Sequence, residues 1–123
     1  MGKRLLEVSF LVPEVRNSDR QPHQPIAWRL LQDEIRRTFP EGHSGPENFY
    51  RAVDVVPGEY SGAPGDPPIC DRNRRYILAL PPARIDELRH LLGKVAVTFD
   101  QEAMYLSVAG VVEFITPGDE GLV

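Results

Sequence analysis

The densest run of side chains that could bind a small anion is Cys70-Asp71-Arg72-Asn73-Arg74-Arg75-Tyr76. Guanidinium groups hold carboxylates and phosphates through paired hydrogen bonds, so Arg72 and Arg74 could contact such a ligand. The same arginines could instead pair with acids such as Asp71 or Glu102 in a solvated segment that leads into a strand. The pattern favours this structural interpretation and leaves anion binding as a hypothesis.

His23 lies in a polar segment with prolines on both sides, and it could act as a general base or a proton sensor. Its loop neighbours are more typical of a surface histidine. His43 and His90 are expected on other parts of the fold, so the three histidines should not converge on a metal. Because Cys70 is the only cysteine, a cysteine-based zinc site is excluded as well, and we predict no metal.

Hydrophobic periodicity places these residues on six elements in the order β-α-β-β-α-β. Alternating apolar residues predict strands over residues 5–12, 49–56, 75–80 and 104–115, and three-to-four-residue spacing predicts helices over residues 26–39 and 82–99. Gly110 suggests a bulge or a close approach in the middle of the last strand. This order predicts an α+β, ferredoxin-like domain over residues 1–116, in which two helices cover one face of a four-stranded antiparallel sheet. An acidic flexible tail over residues 117–123 should follow.

This topology brings three connections to one end of the domain, namely residues 13–25, 58–74 and 100–103. The start of the first helix lies at the same end and could attract an anion. The candidate ligand-binding residues are therefore Arg16, Arg20, His23, Asp71, Arg72, Arg74, Gln101 and Glu102.

The sheet face without helices is the predicted contact surface. It should carry Glu7, Ser9, Tyr105, Ser107 and Glu113, with Leu5, Leu11, Ala109, Val111 and Ile115 between them. Met104, Leu106, Val108, Val112 and Phe114 should face the helices. Mixed apolar faces of this kind often form interfaces, so we predict a homodimer.

Composition limits the classes of function. The 123 residues carry a net charge of −4, whereas proteins that bind nucleic acid by its phosphates are usually basic. The sequence has no phosphate loop or dinucleotide fingerprint, so no cofactor is predicted. No apolar run is long enough to span a membrane, and the single cysteine suits a reducing cytoplasm.

Four segments resemble a pattern of small bacterial domains of unknown function with ferredoxin-like or dimeric α+β-barrel folds. They are Trp28…Phe39-Pro40, Gly58-Glu59-Tyr60, Tyr76-Ile77-Leu78 and Phe99-Asp100-Gln101-Glu102. The resemblance spans residues 26–115. It implies the fold and a bacterial source, and it implies no activity.

Three hypotheses for the function follow. The leading one is a homodimeric, non-catalytic module that binds a small anionic ligand or a partner protein at the loop end. The second is a small dimeric enzyme that acts on a small acidic substrate through His23, Arg72 or Glu102. The third is a nucleic-acid-binding module that uses the arginines of residues 72–75.

Overall fold

A computed structural model describes residues 4–39, 51–60 and 69–117, with backbone alone for residues 51–60 and 69–71. The elements are β1 (Leu6–Pro13), α1 (Pro25–Thr38), β2 (Arg51–Tyr60), β3 (Ile69–Leu80), α2 (Ile85–Thr98), β4 (Met104–Val108) and β5 (Val111–Ile115), with a short 3₁₀ turn at Pro82–Arg84 before α2. One antiparallel sheet has the strand order β2-β3-β1-β4-β5. The α+β class and the β-α-β-β-α-β order are confirmed. The predicted tail lies outside the described residues from position 118 onward.

The core lies between the two helices and one face of the sheet. Alternate residues of the central strands are fully buried there: Val8, Phe10 and Val12 of β1, and Tyr76, Leu78 and Leu80 of β3. The predicted apolar stripes of the helices pack against these residues. They consist of Trp28, Leu31, Ile35 and Phe39 at α1, and of Ile85, Leu88, Leu92 and Val95 in α2. Burial of these side chains is the main force that holds the helices on the sheet. No helix within the described residues is long and apolar enough to cross a membrane.

The predicted loop over residues 58–74 is wrong at both ends, because β2 and β3 form a longer ladder. Tyr60 pairs with Ile69 and Gly58 pairs with Asp71, so only residues 61–68 separate the two strands. Glycine, proline and aspartate disfavour strands locally, but pairing with a partner strand overrides that weak preference. Phe49 and Tyr50 of the predicted second strand lie outside the described residues.

The predicted last strand is a hairpin. Ala109 and Gly110 both have positive φ, +49° and +88°, as a two-residue type I′ turn requires, and Val108 pairs with Val111 across it. Gly110 therefore makes a turn and not a bulge, and the sheet gains a fifth strand.

The turn also reverses the predicted faces of residues 111–115. Partners across an antiparallel pair share a face, so Glu113 joins Leu106 and Ile115 joins Met104 on the helix side. Ile115 is accordingly buried, and Glu113 binds Arg89 of α2 at 2.7 Å. Val112 and Phe114, predicted to be buried, are instead 47% and 64% exposed on the open face.

The hairpin turn predicts two opposite effects on stability. Ala109→Asn should raise the free energy of unfolding by about 0.5 kcal/mol, because asparagine tolerates the left-handed region better than alanine. Gly110→Ala should lower it by about 1 kcal/mol through backbone strain alone, since an added Cβ would meet no atom within 4 Å. Urea unfolding measures both. A neutral Gly110→Ala result would contradict the assigned turn.

Candidate functional site

The segment 14–24 folds across one end of the sheet and is held there by backbone groups of β3 and of the turn after α2. The N–H of Glu14 donates to the carbonyl of Arg72 at 2.8 Å, and that of Asn17 donates to the carbonyl of Asp100 at 2.9 Å. The side-chain amide of Gln101 donates to the carbonyl of Val15 at 2.9 Å. The topology thus brings residues 14–24, 72–74 and 100–101 together at one end.

The end of α2 explains the position of Asp100. The N–H of Gln101 donates to the carbonyl of Ala96 and that of Asp100 donates to the carbonyl of Val97, which is the Schellman pattern of helix termination. Asp100 occupies the left-handed position, φ +53°, where glycine is usual. Its carboxylate accepts hydrogen bonds from the N–H and Oγ–H of Ser18, at 2.9 and 2.5 Å. These bonds lower the pKa of Asp100.

The candidate arginines Arg16 and Arg74 contact acidic and aromatic partners within the protein. Arg16 Nε lies 3.6 Å from a carboxylate oxygen of Asp19 and 3.9 Å from one of Asp100. The Arg74 guanidinium lies over the ring of Trp28, 3.9 Å from its centroid, and its Nε is 4.0 Å from a Glu14 oxygen. Part of their charge is therefore balanced before any ligand arrives.

The other candidate residues differ in their exposure and in their contacts. Arg20, Arg72 and Glu102 are exposed at the same end. Asp71 pairs with Gly58 in the ladder, and its side chain lies outside the described part of the chain. Gln101 is only 9% exposed, and its amide also donates to the Phe99 carbonyl at 2.7 Å, so it supports the loop. A ligand-binding role for this set remains a prediction.

His23 is half-buried and is not the surface histidine that its sequence neighbours favoured. Its ring makes edge contacts with Trp28 and Phe99, at centroid distances of 5.5 and 4.6 Å. Its Nε2 is 2.9 Å from the carbonyl oxygen of Pro13, and its backbone N–H donates to the Glu14 carbonyl at 3.3 Å. Burial is the largest effect on its titration and lowers the pKa of His23.

A groove of about 820 Å³ runs between α1 and α2 and ends against the segment 14–24. Buried apolar side chains line it: Leu31 of α1, Leu91 and Val95 of α2, and Phe99. Exposed or half-exposed charged side chains also line it: Arg16, Asp19, Glu34 and Lys94. The groove therefore offers an apolar surface bordered by both signs of charge, which suits an organic molecule with an apolar body and polar ends.

Among the predicted residues whose side chains the structure describes, only Arg16 and His23 line this groove, and the helix residues that form most of it were missed. A signal was present in the sequence. Ile26 and Leu30 are apolar but lie outside the predicted stripe of α1, and they are 53% and 59% exposed along the groove. Apolar residues beside a core stripe can mark a second surface as well as a wide core.

The hydrogen bonds between Ser18 and Asp100 predict how the stability of the protein changes as the pH falls. A carboxyl group whose pKa is lower in the folded than in the unfolded protein stabilises the fold at pH values above its unfolded-state pKa. This contribution is lost as the pH falls through the folded-state pKa. Ser18→Ala removes one donor and should raise the pKa of Asp100 toward its ordinary value, measured by NMR titration of the carboxyl carbon. Ser107→Ala, on the sheet, is the matched control. An unchanged Asp100 titration in Ser18→Ala would contradict the assigned bond.

Comparisons with known proteins reveal a shared fold. No family model matches the chain, and no curated protein sequence matches it. A solved phage SAM lyase in complex with S-methyl-5'-thioadenosine is similar, with TM-score 0.66 and 14% identity over 97% of this chain and 95% of that one. A phage SAM lyase in its apo state gives TM-score 0.61 and 15% identity over 94% and 92%. At these identities the chain shares the overall fold with the phage enzymes.

Proposed function

We propose that the groove between α1 and α2 binds one small amphipathic molecule. The observation that carries this proposal is the groove itself, whose volume of about 820 Å³ lies within the range of sites for small ligands. Its buried apolar side chains can cover a flat or aliphatic body. Its charged border can orient the polar ends of the ligand. The apolar sides of the helices that face the sheet cannot do this.

We propose an adenosyl thioether or sulfonium as the class of ligand, and the likeness to phage SAM lyase supports this choice. A purine has flat faces that can pack on Leu31 and Phe99. The amino-acid end of S-adenosylmethionine carries both an ammonium and a carboxylate. The carboxylate is the anionic group that Arg16 or Lys94 could contact, and the ammonium could contact Asp19 or Glu34.

Two substitutions of equally exposed helix residues test the groove. Leu30 and Val97 are both apolar and both 59% exposed, but only Leu30 lines the groove. Leu30→Asn should weaken binding of S-methyl-5'-thioadenosine about fivefold, because an apolar contact of about 1 kcal/mol is lost. Val97→Asn should leave binding unchanged. Isothermal titration calorimetry gives both dissociation constants.

Two results would contradict this location. One is equal binding by Leu30→Asn and the wild type. The other is a set of ligand-induced NMR shift changes confined to the sheet, away from α1 and α2. Absence of binding by both S-methyl-5'-thioadenosine and S-adenosylmethionine would contradict the proposed ligand class.

A catalytic form of this function is the second candidate, and the similarity to a lyase fold favours it. In that form, the bond between the sulfonium sulfur and the amino-acid side chain breaks. The sulfur keeps the electron pair of that bond and leaves as S-methyl-5'-thioadenosine, while a carboxylate oxygen of the same amino acid bonds to the carbon that the sulfur leaves and closes the four-carbon fragment into a lactone. Incubation with S-adenosylmethionine followed by chromatography would detect the nucleoside. Binding without product would favour the non-catalytic module.

We further propose that two copies of the chain pair through the open face of the sheet. Phe114 and Val112 are exposed there, and the Phe114 ring makes an edge contact with Tyr105 at a centroid distance of 6.0 Å. Glu113 faces the helices and pairs with Arg89, so its charge does not interrupt this apolar surface. Covering the rings would remove apolar area from water.

The pairing predicts a mass of twice 13.8 kDa by light scattering. Phe114→Asn should shift the protein toward the single-chain mass, because it removes an aromatic side chain that is 64% exposed on this face. Val97→Asn, on the helix side, should not shift it. A wild-type protein with the single-chain mass at all concentrations would contradict the pairing.

A further inference from the structure

The hydrogen bond between His23 and Pro13 determines which ring nitrogen carries a proton. A carbonyl oxygen only accepts, so the 2.9 Å contact with the Pro13 carbonyl requires a proton on Nε2. In a neutral imidazole the other nitrogen, Nδ1, is then an acceptor. Among the described residues Nδ1 has no hydrogen-bond partner, while His23 forms part of the groove wall.

The surroundings of the ring favour this neutral form. Burial against Trp28 and Phe99 opposes a charged imidazolium, and the charges of Arg16 and Arg74 oppose it further. The Pro13 carbonyl and Asp100 act in the opposite direction but do not outweigh burial, so the pKa of His23 is lowered. Near neutral pH the ring therefore keeps an unprotonated nitrogen.

The ring is also fixed in place. Trp28 and Phe99 contact each other at a centroid distance of 5.2 Å and the imidazole packs against both, so the three rings form one cluster. The backbone N–H of His23 donates to the carbonyl of Glu14, which ties this part of the segment to its own start. A fixed acceptor beside an apolar surface discriminates between ligands, because a ligand without a matching donor leaves it unpaired.

We infer that Nδ1 of His23 accepts a hydrogen bond from the ligand in the groove. This inference rests on the proposed function and adds the group that selects the ligand. The matching ligand class has an N–H or O–H donor beside its apolar body, as the amino group of adenine and the hydroxyls of ribose provide. His23 is thus a specificity residue for the groove.

Two amide substitutions separate this role from packing. Glutamine places an N–H near the position of Nε2 and keeps the bond to Pro13, but it removes the acceptor at Nδ1. Asparagine places an oxygen near Nδ1 and loses the bond to Pro13. His23→Gln should weaken binding of S-methyl-5'-thioadenosine about five- to tenfold, which corresponds to one lost hydrogen bond. His23→Asn should bind more tightly than His23→Gln although it is the less stable variant.

Nitrogen-15 NMR of the histidine rings in the wild-type protein provides a readout besides affinity. We expect the Nε2–H form of His23 at neutral pH without ligand, and a shift of the Nδ1 resonance on addition of S-methyl-5'-thioadenosine. A ring protonated on Nδ1, or affinities that follow thermal stability in both variants, would overturn the inference while leaving the groove intact. Absence of binding by the wild type would overturn the proposed function, and the inference with it.

Discussion

The attachment of the segment 14–24 to the end of α2 is the interaction on which the rest of the site depends. Asp100 ends the helix in a left-handed conformation, and this directs its carboxylate toward Ser18 while Gln101 reaches the carbonyl of Val15. A residue unable to adopt positive φ would end the helix differently and release the segment. His23 would then lose its contact with Phe99, and the groove would lose its closed end.

The aromatic cluster of His23, Trp28 and Phe99 links this attachment to the orientation and pKa of the histidine ring. Trp28 of α1 and Phe99 at the end of α2 contact each other, and the ring of His23 packs against both of them. The Pro13 carbonyl contacts Nε2 and orients the imidazole, and partial burial lowers the pKa of His23 and so favours its neutral form. A residue of a connecting segment thereby acquires a defined orientation.

The largest difference between sequence and structure arises at residues 104–115. Alternating hydrophobicity there is compatible with one strand or with two strands joined by a two-residue turn, since both preserve a period of two. The turn at Ala109–Gly110 changes which residues face the core beyond it, so Glu113 meets Arg89 and Phe114 meets solvent. Alanine, unlike asparagine, gives no signal of positive φ at the first turn position.

Periodicity by itself determined the order of elements, the buried stripes of both helices and β1, and the end of the fold at which residues 14–24, 72–74 and 100–101 meet. These features follow from local spacing and from antiparallel connectivity. Only the tertiary structure decided the extent of the β2–β3 ladder, the surroundings of His23 and the existence of the groove. Each of these depends on contacts between residues far apart in the chain, which local spacing does not determine, although Ile26 and Leu30 beside the stripe of α1 are consistent with a second apolar surface.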